Sequence, residues 1–320
     1  MVRDIKKWTF TEGIKIFSLP FLELLYKAQT IHREHFNPNE VQVSTLLNIK
    51  TGGCSENCSY CSQSVHHNTA VKKEPLMAIN DVVSKAKQAK DAGSTRFCMG
   101  AAWRGLRDKN LTTVCDMISE IKKLGLETCV TLGMLNQHQA EMLKAAGLDF
   151  YNHNIDTSEE YYSQIVTSHT FEDRLNTLEH VHQAGIKVCC GGILGLGETN
   201  ADRIKMLVAL ATLNKPPHSI PINKFIKIPG TRLEEQNPVD PFDFVRIIAL
   251  ARIMMPKSYI RLSAGRENMS DELQALCFFA GANSIFYGEK LLTTNNSTPG
   301  QDDQLFKRLG LKKLVLEPML

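Results

Sequence analysis

The chain has 320 residues, of which 43% are hydrophobic and 22% are charged, and its formal net charge is +3. This is the composition of an ordinary globular protein, and the basic residues are spread along the chain, so nothing favours nucleic-acid binding. No signal-like region opens the sequence, and no apolar run reaches the ~18 residues of a membrane helix. Nine cysteines in such a chain predict a reducing, cytoplasmic location and thiols kept for metal binding or catalysis.

Helical and β-rich segments alternate along most of the chain. The first predicted helix covers 20–36 and precedes the first strand. Eight strands are predicted at 41–49, 95–99, 127–132, 150–154, 187–192, 219–225, 259–263 and 282–286. Three of the intervening helices, at 79–92, 137–146 and 171–184, are each followed by glycine, the usual left-handed end of a helix.

Eight β-then-α units predict an α/β fold, a (βα)8 TIM-type barrel, with an open doubly wound sheet as the alternative. We expect one domain, with a helical extension at 1–38, a barrel core at 39–288 and a C-terminal cap at 289–320. Within the cap, the polar stretch 293–304 is expected to be an exposed loop. The segment 305–320 is expected to pack as a short helix or an irregular cap.

Cys54, Cys58 and Cys61 follow the first predicted strand with the spacing C-x3-C-x2-C. Three thiolates in one loop can hold three irons of a [4Fe–4S] cluster, and the fourth iron stays open to a small molecule. This spacing resembles that of the radical S-adenosylmethionine (SAM) enzymes. The alternatives are a zinc site completed by His66 or His67, or unrelated thiols. A barrel would place this loop at its catalytic mouth.

Four further residues lie inside predicted strands and can converge in the barrel interior: Cys98, Cys129, Cys189 and Arg261. Each cysteine alone could be a packing residue, but together they make a second iron–sulfur cluster plausible. Arginine is an unusual ligand because its pKa is above ~12, so a buried ion pair with Asp156 is the alternative. The other cysteines inside predicted elements are expected to pack: Cys115, Cys190 and Cys277.

Polar and flexible groups gather where the middle strands end. Asn152 and Asn154 share one face by the period-two rule, and Asp156 follows them. Such groups suit a hydroxyl-rich or ureido-bearing ligand, with strand-end turn chemistry as the alternative. Asn223 is another inward candidate. The glycine-rich run 191–198 lacks the Gly-Lys-Ser/Thr of a phosphate-binding loop, but it lets a flat group such as adenine approach the main chain.

Over 8–311 the sequence resembles the biotin synthase family. The matching stretches are 53–64, 151–157, 191–198, 219–223, 251–256, 261–267, 281–288 and 291–294. The cysteine motif alone indicates only the radical SAM superfamily, whereas Asn-His-Asn-x-Asp together with Arg-Leu-Ser-Ala-Gly-Arg-Glu is far more specific. A common family version of the cysteine motif reads C-P-E-D-C-K-Y-C, and here Ser55, Asn57 and Ser59 replace its Pro, Asp and Lys.

The resemblance implies two clusters and assigns residues to them. The [4Fe–4S] ligands would be Cys54, Cys58 and Cys61, and the open iron would chelate the amine and carboxylate of SAM. The [2Fe–2S] ligands would be Cys98, Cys129, Cys189 and Arg261. The SAM nucleoside would lie against Tyr60, Asn154, Asp156 and Ile193.

The resemblance also implies the reaction, a sulfur insertion that converts dethiobiotin to biotin in the last step of biotin biosynthesis. The enzyme would be a sulfurtransferase in which the second cluster donates the sulfur. Its partners would be a flavodoxin- or ferredoxin-type reductant and a second copy in a homodimer. The residues implied near SAM and the substrate's ureido ring are Asn152, Asn154 and Asn223, and those near its carboxylate are Thr293 and Thr294.

Overall fold

The computed structural model describes residues 6–315. Two helices precede the barrel, α1 (Phe10–Phe17) and α2 (Phe21–His35). The second confirms the predicted helix at 20–36. The first was not predicted, although Thr9 and Glu12 form a capping box in which the Thr9 hydroxyl accepts from the Glu12 N–H and the Glu12 carboxylate accepts from the Thr9 N–H.

All eight predicted strands are present, and they form a closed barrel. The strands are β1 (Glu40–Lys50), β2 (Arg96–Ala101), β3 (Glu127–Thr131), β4 (Phe150–Asn152), β5 (Lys187–Cys189), β6 (Gly192–Leu194), β7 (Ser219–Lys224), β8 (Tyr259–Leu262) and β9 (Ser284–Phe286). Neighbours pair in parallel, and β1 pairs with both β2 and β9, which excludes an open sheet. The fifth predicted strand is interrupted after Cys189, so β5 and β6 share its place beside β7.

The outer layer consists of helices that follow the strands. They are α3 (Ile79–Asp91), α4 (Asp108–Lys123), α5 (Gln137–Ala145), α6 (Glu159–Ile165), α7 (Phe171–Gln183), α8 (Asn200–Ala211), α9 (Pro241–Met254) and α10 (Asp271–Phe279). Gly93, Gly147 and Gly185 each adopt positive φ just past a helix, as the sequence predicted. None of the helices in the described part of the chain is both long and apolar enough to cross a membrane.

The C-terminal segment differs from its prediction. The stretch 293–304 is not an exposed loop, because α11 (Pro299–Leu309) begins inside it and Asn296, Ser297 and Asp302 are buried. Asp302 forms a buried, two-contact ion pair with Arg266, with nitrogen–oxygen distances of 2.5 and 2.8 Å. The helix expected in 305–320 is confirmed up to Leu309, and β10 (Lys312–Lys313) then pairs with β1. Residues 316–320 lie outside the described residues.

The apolar residues form two clusters. The larger lies between the sheet and the helices, and it includes Cys190 and Cys277. The smaller lies inside the barrel and consists of Cys98, Cys129, Phe150 and Cys189, with Leu46 and Phe286 packed against it. Cys189 and Cys190 therefore face opposite sides of the sheet, which confirms the predicted alternation. Cys115 is only half-buried on α4.

Candidate functional site

A cavity of about 280 Å³ opens at the mouth formed by the carboxyl ends of the strands. Its rim carries the three cysteines of the motif, in residues 54–61, which we call the cysteine loop. Its floor carries Cys98, Cys129 and Arg261 from β2, β3 and β8. Two of the three strand cysteines therefore line the same cavity as the cysteine loop, and Cys189 packs against them.

The thiols of the cysteine loop are sheltered and held by backbone donors. Hydrogen bonding from the backbone of Glu56 lowers the pKa of Cys54, and that from the backbone of Gln63 and Ser64 lowers the pKa of Cys61. Burial nevertheless raises the pKa of Cys54 and Cys58, and it raises that of Cys61 to about 11. Thiolates form here only when a cation compensates them, which is the condition that an iron cluster meets.

The histidines proposed as alternative zinc ligands make other contacts. His67 Nδ1 lies 2.8 Å from the Cys61 carbonyl oxygen, and His66 Nε2 lies 3.2 Å from that of Ser55. Within residues 6–315, no three or more Cys, His, Asp or Glu side chains surround one point that could hold a single metal ion. A single zinc ion needs its ligands around one point, so this finding disfavours the zinc alternative. It does not disfavour a cubane cluster, in which each thiolate binds a different iron. All nine cysteines carry free thiols.

The strand cysteines are packed against one another by the sheet register. Cys98 and Cys129 are paired across β2 and β3, and Asn152 of β4 is paired with Cys189 of β5. Hydrogen bonding with the Cys129 thiol lowers the pKa of Cys98 and of Cys189, and the guanidinium of Arg261 lowers both further. The barrel interior thus lowers the pKa of two of its three cysteines and raises that of Cys129, whereas the pKa values of all three thiols on the cysteine loop are raised.

Arg261 lies near these thiols, because its charge lowers the pKa of Cys98 and Cys189, and it pairs with no carboxylate of the described residues. Its Nε donates to Ser284 Oγ at 2.9 Å, and its Nη2 donates to Ser44 Oγ at 3.0 Å and to Gln42 Oε1 at 3.2 Å. The expected alternative, an ion pair with Asp156, is wrong. Nη1 makes no hydrogen bond to any residue that the structure describes, and the side chain lines the cavity. Neutral hydroxyl and amide partners therefore hold Nε and Nη2, and Nη1 is left without a hydrogen-bond partner among the described residues.

A second buried arginine below the cysteines was missed from the sequence. The Arg96 guanidinium donates to Glu127 Oε2 at 2.8 and 3.0 Å and stacks 3.5 Å from the Phe150 ring centre. Although burial opposes it, Glu127 and the three thiols raise the pKa of Arg96, so the group stays charged. Its position at the start of β2, two residues before Cys98 and so on the same face, was the available signal.

The residues expected around the nucleoside of SAM meet on one wall of the cavity. The Tyr60 hydroxyl donates to Asp156 Oδ2 at 2.7 Å, and the Ile193 N–H donates to the Asp156 carbonyl at 2.9 Å. Asp156 has φ +66°, the one described non-glycine residue with positive φ, and such strained backbone is common at functional sites. Burial raises the pKa of Asp156, and Arg174 partly offsets this.

The glycine-rich run beside Ile193 is organised by an acidic residue. Glu198 accepts from the Gly195 N–H at 2.8 Å and from the Leu196 N–H at 2.6 Å, and it pairs with Arg203 at 2.6 Å. A Cβ at Gly192 would lie 2.5 Å from the Asp156 carbonyl oxygen, so this position tolerates only glycine. The run, which includes β6, therefore packs closely against Asp156. It also forms part of the wall of the cavity.

A second cavity of about 200 Å³ adjoins the first and is lined by Asn223, Thr293 and Thr294. Thr293 shares a hydrogen bond with Ser62 at 2.8 Å, which ties the C-terminal segment to the residue after Cys61. Asn223 Nδ2 donates to the Gly192 carbonyl at 3.0 Å, and its Oδ1 accepts from the Ala264 N–H at 3.1 Å. The Asn223 amide nitrogen therefore keeps one N–H free, and the amide oxygen keeps one lone pair free.

Asn152 and Asn154 contact each other, as their shared face predicted. Asn152 Nδ2 donates to Asn154 Oδ1 at 3.2 Å and lies 3.3 Å from the Cys189 sulfur. Asn154 Oδ1 also accepts from the Gly191 N–H at 3.2 Å. The two amides therefore stand between the strand cysteines and the mouth.

Arg174 of α7 is the cation at the mouth that sequence reasoning missed. It lines the cavity, and its charge is the largest electrostatic influence that lowers the pKa of Cys58 against burial. Its Nη2 lies 3.5 Å from Asp156 Oδ2, and its Nε donates to the Tyr162 hydroxyl at 2.9 Å. The available signal was its place in the first turn of a helix that starts at the barrel mouth.

Comparison with known proteins agrees with this geometry. The sequence model of the Radical SAM superfamily matches residues 48–211, and that of the Biotin and Thiamin Synthesis associated domain matches residues 221–312. Methylornithine synthase has a similar fold, with a TM-score of 0.81 at 19% identity over 97% of this chain and 95% of that one. The chain is a radical SAM enzyme, which implies a [4Fe–4S] cluster and SAM.

Relatives with higher sequence identity show which family within the radical SAM superfamily the chain belongs to. The biotin synthase of Rickettsia felis is 67% identical over 96% of this chain and 99% of its own length. That of Lawsonia intracellularis is 66% identical over 96% of this chain and 97% of its own length. The chain belongs to the biotin synthase family.

Proposed function

We propose that the chain inserts sulfur into dethiobiotin to make biotin. The observation that carries the proposal is the single cavity with two tiers of thiols, one on the cysteine loop and one on the barrel strands. A radical SAM barrel without sulfur insertion needs only the first tier. The second tier, with Arg261 beside it in the same cavity, supports a sulfur-donating [2Fe–2S] cluster.

The two donor sets fit the two clusters. Cys54, Cys58 and Cys61 would hold the [4Fe–4S] cluster, because burial raises the pKa of all three thiols and the iron cations would compensate their thiolates. The ligands of the [2Fe–2S] cluster would be Cys98, Cys129, Cys189 and Arg261. When bound, the first cluster supplies the electron that splits SAM into methionine and a 5′-deoxyadenosyl radical, and the second supplies the sulfur.

The wall of the cavity would bind SAM. Arg174 lies beside the cysteine loop, so its guanidinium suits the carboxylate that chelates the open iron. Asp156 keeps Oδ1 available to a ribose hydroxyl while Tyr60 occupies Oδ2. Ile193 and Asn154 complete the nucleoside wall. These residues orient SAM and keep water from its reacting carbon.

Dethiobiotin would lie between the two tiers. Asn152, Asn154 and Asn223 would face its ureido ring, because each amide retains hydrogen-bonding capacity next to the cavity. Thr293 and Thr294 line the adjoining cavity and would receive the carboxylate tail. This placement would put the substrate carbons above the strand cysteines and below the cysteine loop.

The remaining expectations extend the same proposal. The chain would act as a single domain, with an extension at 1–38, a barrel core at 39–288 and a cap at 289–320, because strands from both matched regions complete one barrel. It would work as a homodimer with a flavodoxin- or ferredoxin-type reductant in the cytoplasm. The nine free thiols favour that reducing setting.

The test is an anaerobic turnover assay with the reconstituted protein, SAM, dethiobiotin and a chemical reductant. The proposal expects biotin together with 5′-deoxyadenosine and methionine. Reconstitution of the clusters with isotopically heavy sulfide should place the heavy sulfur in biotin. 5′-Deoxyadenosine without biotin would instead indicate a radical SAM enzyme of another activity.

A further inference from the structure

A directed chain of hydrogen bonds runs through the barrel wall from Arg174 to the cysteine loop. Arg174 Nε donates to the Tyr162 hydroxyl at 2.9 Å, and that hydroxyl lies 2.8 Å from His169 Nε2. His169 Nδ1 lies 2.5 Å from Glu56 Oε2. Glu56 stands between Cys54 and Cys58 in sequence. We call these four residues the relay.

The chemistry of the groups fixes the direction of every bond in the relay. The guanidinium of Arg174 can only donate, so the Tyr162 hydroxyl accepts from it and gives its own proton to His169 Nε2. His169 then carries its ring proton on Nδ1 and donates to the Glu56 carboxylate. This tautomer is assigned from the network. His169 is thereby a neutral connector with one donor and one acceptor.

The relay is buried, so its bonds do not compete with water. The side chains of His169 and Glu56 are 1% and 7% exposed, and that of Arg174 is 14% exposed. Tyr162 is 2% exposed. In such surroundings a missing partner leaves a buried polar group unsatisfied, which is unfavourable. The relay therefore favours one orientation of the Arg174 guanidinium.

The cysteine loop is fastened to the same segment by other residues. Asn57 Oδ1 accepts from the Thr167 and Ser168 N–H groups at 3.0 and 3.1 Å. Ser59 donates to the Ile165 carbonyl through both its N–H, at 2.8 Å, and its hydroxyl, at 2.9 Å. Asn57 and Ser59 are two of the positions at which this loop departs from the common family version. The connection between α6 and α7 thus contacts the cysteine loop directly, and it contacts Arg174 through His169 and Tyr162.

We propose that His169 is a positioning residue that couples the cysteine loop to the arginine facing the carboxylate of SAM. His169 lines the cavity, but both of its ring nitrogens are engaged within the relay, so it acts by holding Arg174 through Tyr162 while Glu56 holds His169. This inference rests on the proposed function, because it takes Arg174 as the partner of the SAM carboxylate.

The test compares two ligands in the anaerobically reconstituted protein without reductant, so that no turnover occurs. SAM carries the carboxylate, whereas 5′-methylthioadenosine shares its nucleoside and lacks the amino-acid part. Tyr162→Phe removes one hydroxyl and keeps the ring. Tyr161→Phe is the matched control, because the Tyr161 hydroxyl donates to the Leu196 carbonyl outside the relay.

Equilibrium dialysis should show SAM binding weakened about tenfold in Tyr162→Phe, which corresponds to about 1.4 kcal/mol. Binding of 5′-methylthioadenosine should be unchanged in the same variant. His169→Leu should behave like Tyr162→Phe, and His169→Gln, which keeps a donor and an acceptor, should stay within about threefold of the unchanged protein. In a separate turnover assay with reductant, the KM for dethiobiotin should be the same in Tyr162→Phe as in the unchanged protein.

The inference is overturned if Tyr162→Phe binds SAM as tightly as Tyr161→Phe, or if it loses affinity for both ligands equally. The second result would indicate a structural role in the nucleoside wall. An unchanged protein that neither binds SAM nor cleaves it would instead contradict the proposed function. The two failures are therefore distinguishable.

Discussion

The two tiers of thiols in this barrel are held in opposite ways. The upper three lie on a loop, and burial raises their pKa values, which backbone hydrogen bonding partly offsets at Cys54 and Cys61. The lower three stand on strands, and two of them have lowered pKa values because of Cys129, Arg261 and Arg96. A loop suits a cluster whose open iron must receive a ligand. Rigid strands with fixed cations suit a cluster enclosed on all sides.

The comparison predicts that each tier can be disabled alone. Cys58→Ala should lower 5′-deoxyadenosine formation by more than about 100-fold, since even residues that only support a metal ligand contribute 10–100-fold. The absorption of the strand cluster should remain. Chromatographic assay of 5′-deoxyadenosine measures the loss, with Cys115→Ala on α4 as the control. If the variant forms 5′-deoxyadenosine at the full rate, the cysteine loop does not hold the cluster that cleaves SAM.

The reverse separation is expected for the strand tier. Cys129→Ala should abolish biotin formation and keep measurable SAM cleavage, because the cysteine loop is untouched. Cys190→Ala is the matched control, since Cys190 is equally buried but packs in the outer core. Normal biotin yield from Cys129→Ala would show that the strand cysteines only fill space.

A smaller effect is expected at Arg261. In Arg261→Met, Gln42, Ser44 and Ser284 still bond one another, at 2.6 to 3.2 Å, so no buried hydroxyl is left alone. We expect biotin formation within about tenfold of normal, because a nitrogen ligand is more dispensable than a thiolate, and a shifted absorption spectrum of the strand cluster. An unchanged spectrum would contradict ligation by Arg261.

The smallest effect concerns the edge of the site. Thr294→Val removes one hydroxyl from the adjoining cavity and should raise the KM for dethiobiotin about fivefold, the loss of one neutral hydrogen bond. Steady-state kinetics measure this, and the methyl ester of dethiobiotin serves as the control substrate because it lacks the charged tail. An equal change in KM for both substrates would show that Thr294 does not bind the carboxylate of dethiobiotin.

Much of this molecule follows from sequence periodicity. The eight strands, the glycine-ended helices and the opposite facing of Cys189 and Cys190 depend on local patterns that the folded chain keeps. The C-terminal prediction failed because parts of the polar stretch 293–304 are buried by long-range partners, as Asp302 is by Arg266. Sequence periodicity carries no information about such a pairing.

Some residues of the site could likewise be predicted from patterns in the sequence, and others could not. The cysteine loop is visible as a spacing, whereas the strand cysteines converge only after the barrel is assumed. Arg174, Tyr162 and His169 carry no motif, because their roles depend on which side chains meet across the α6–α7 connection. Contacts of this kind come from tertiary packing and not from spacing along the chain.

The most direct test of the two-tier account is the iron and sulfide content of anaerobically reconstituted protein, read together with its Mössbauer spectrum. The account predicts one [4Fe–4S] and one [2Fe–2S] cluster in each chain, with Cys58→Ala losing only the first and Cys129→Ala only the second. A single cubane that survives Cys129→Ala, with no second cluster, would contradict it.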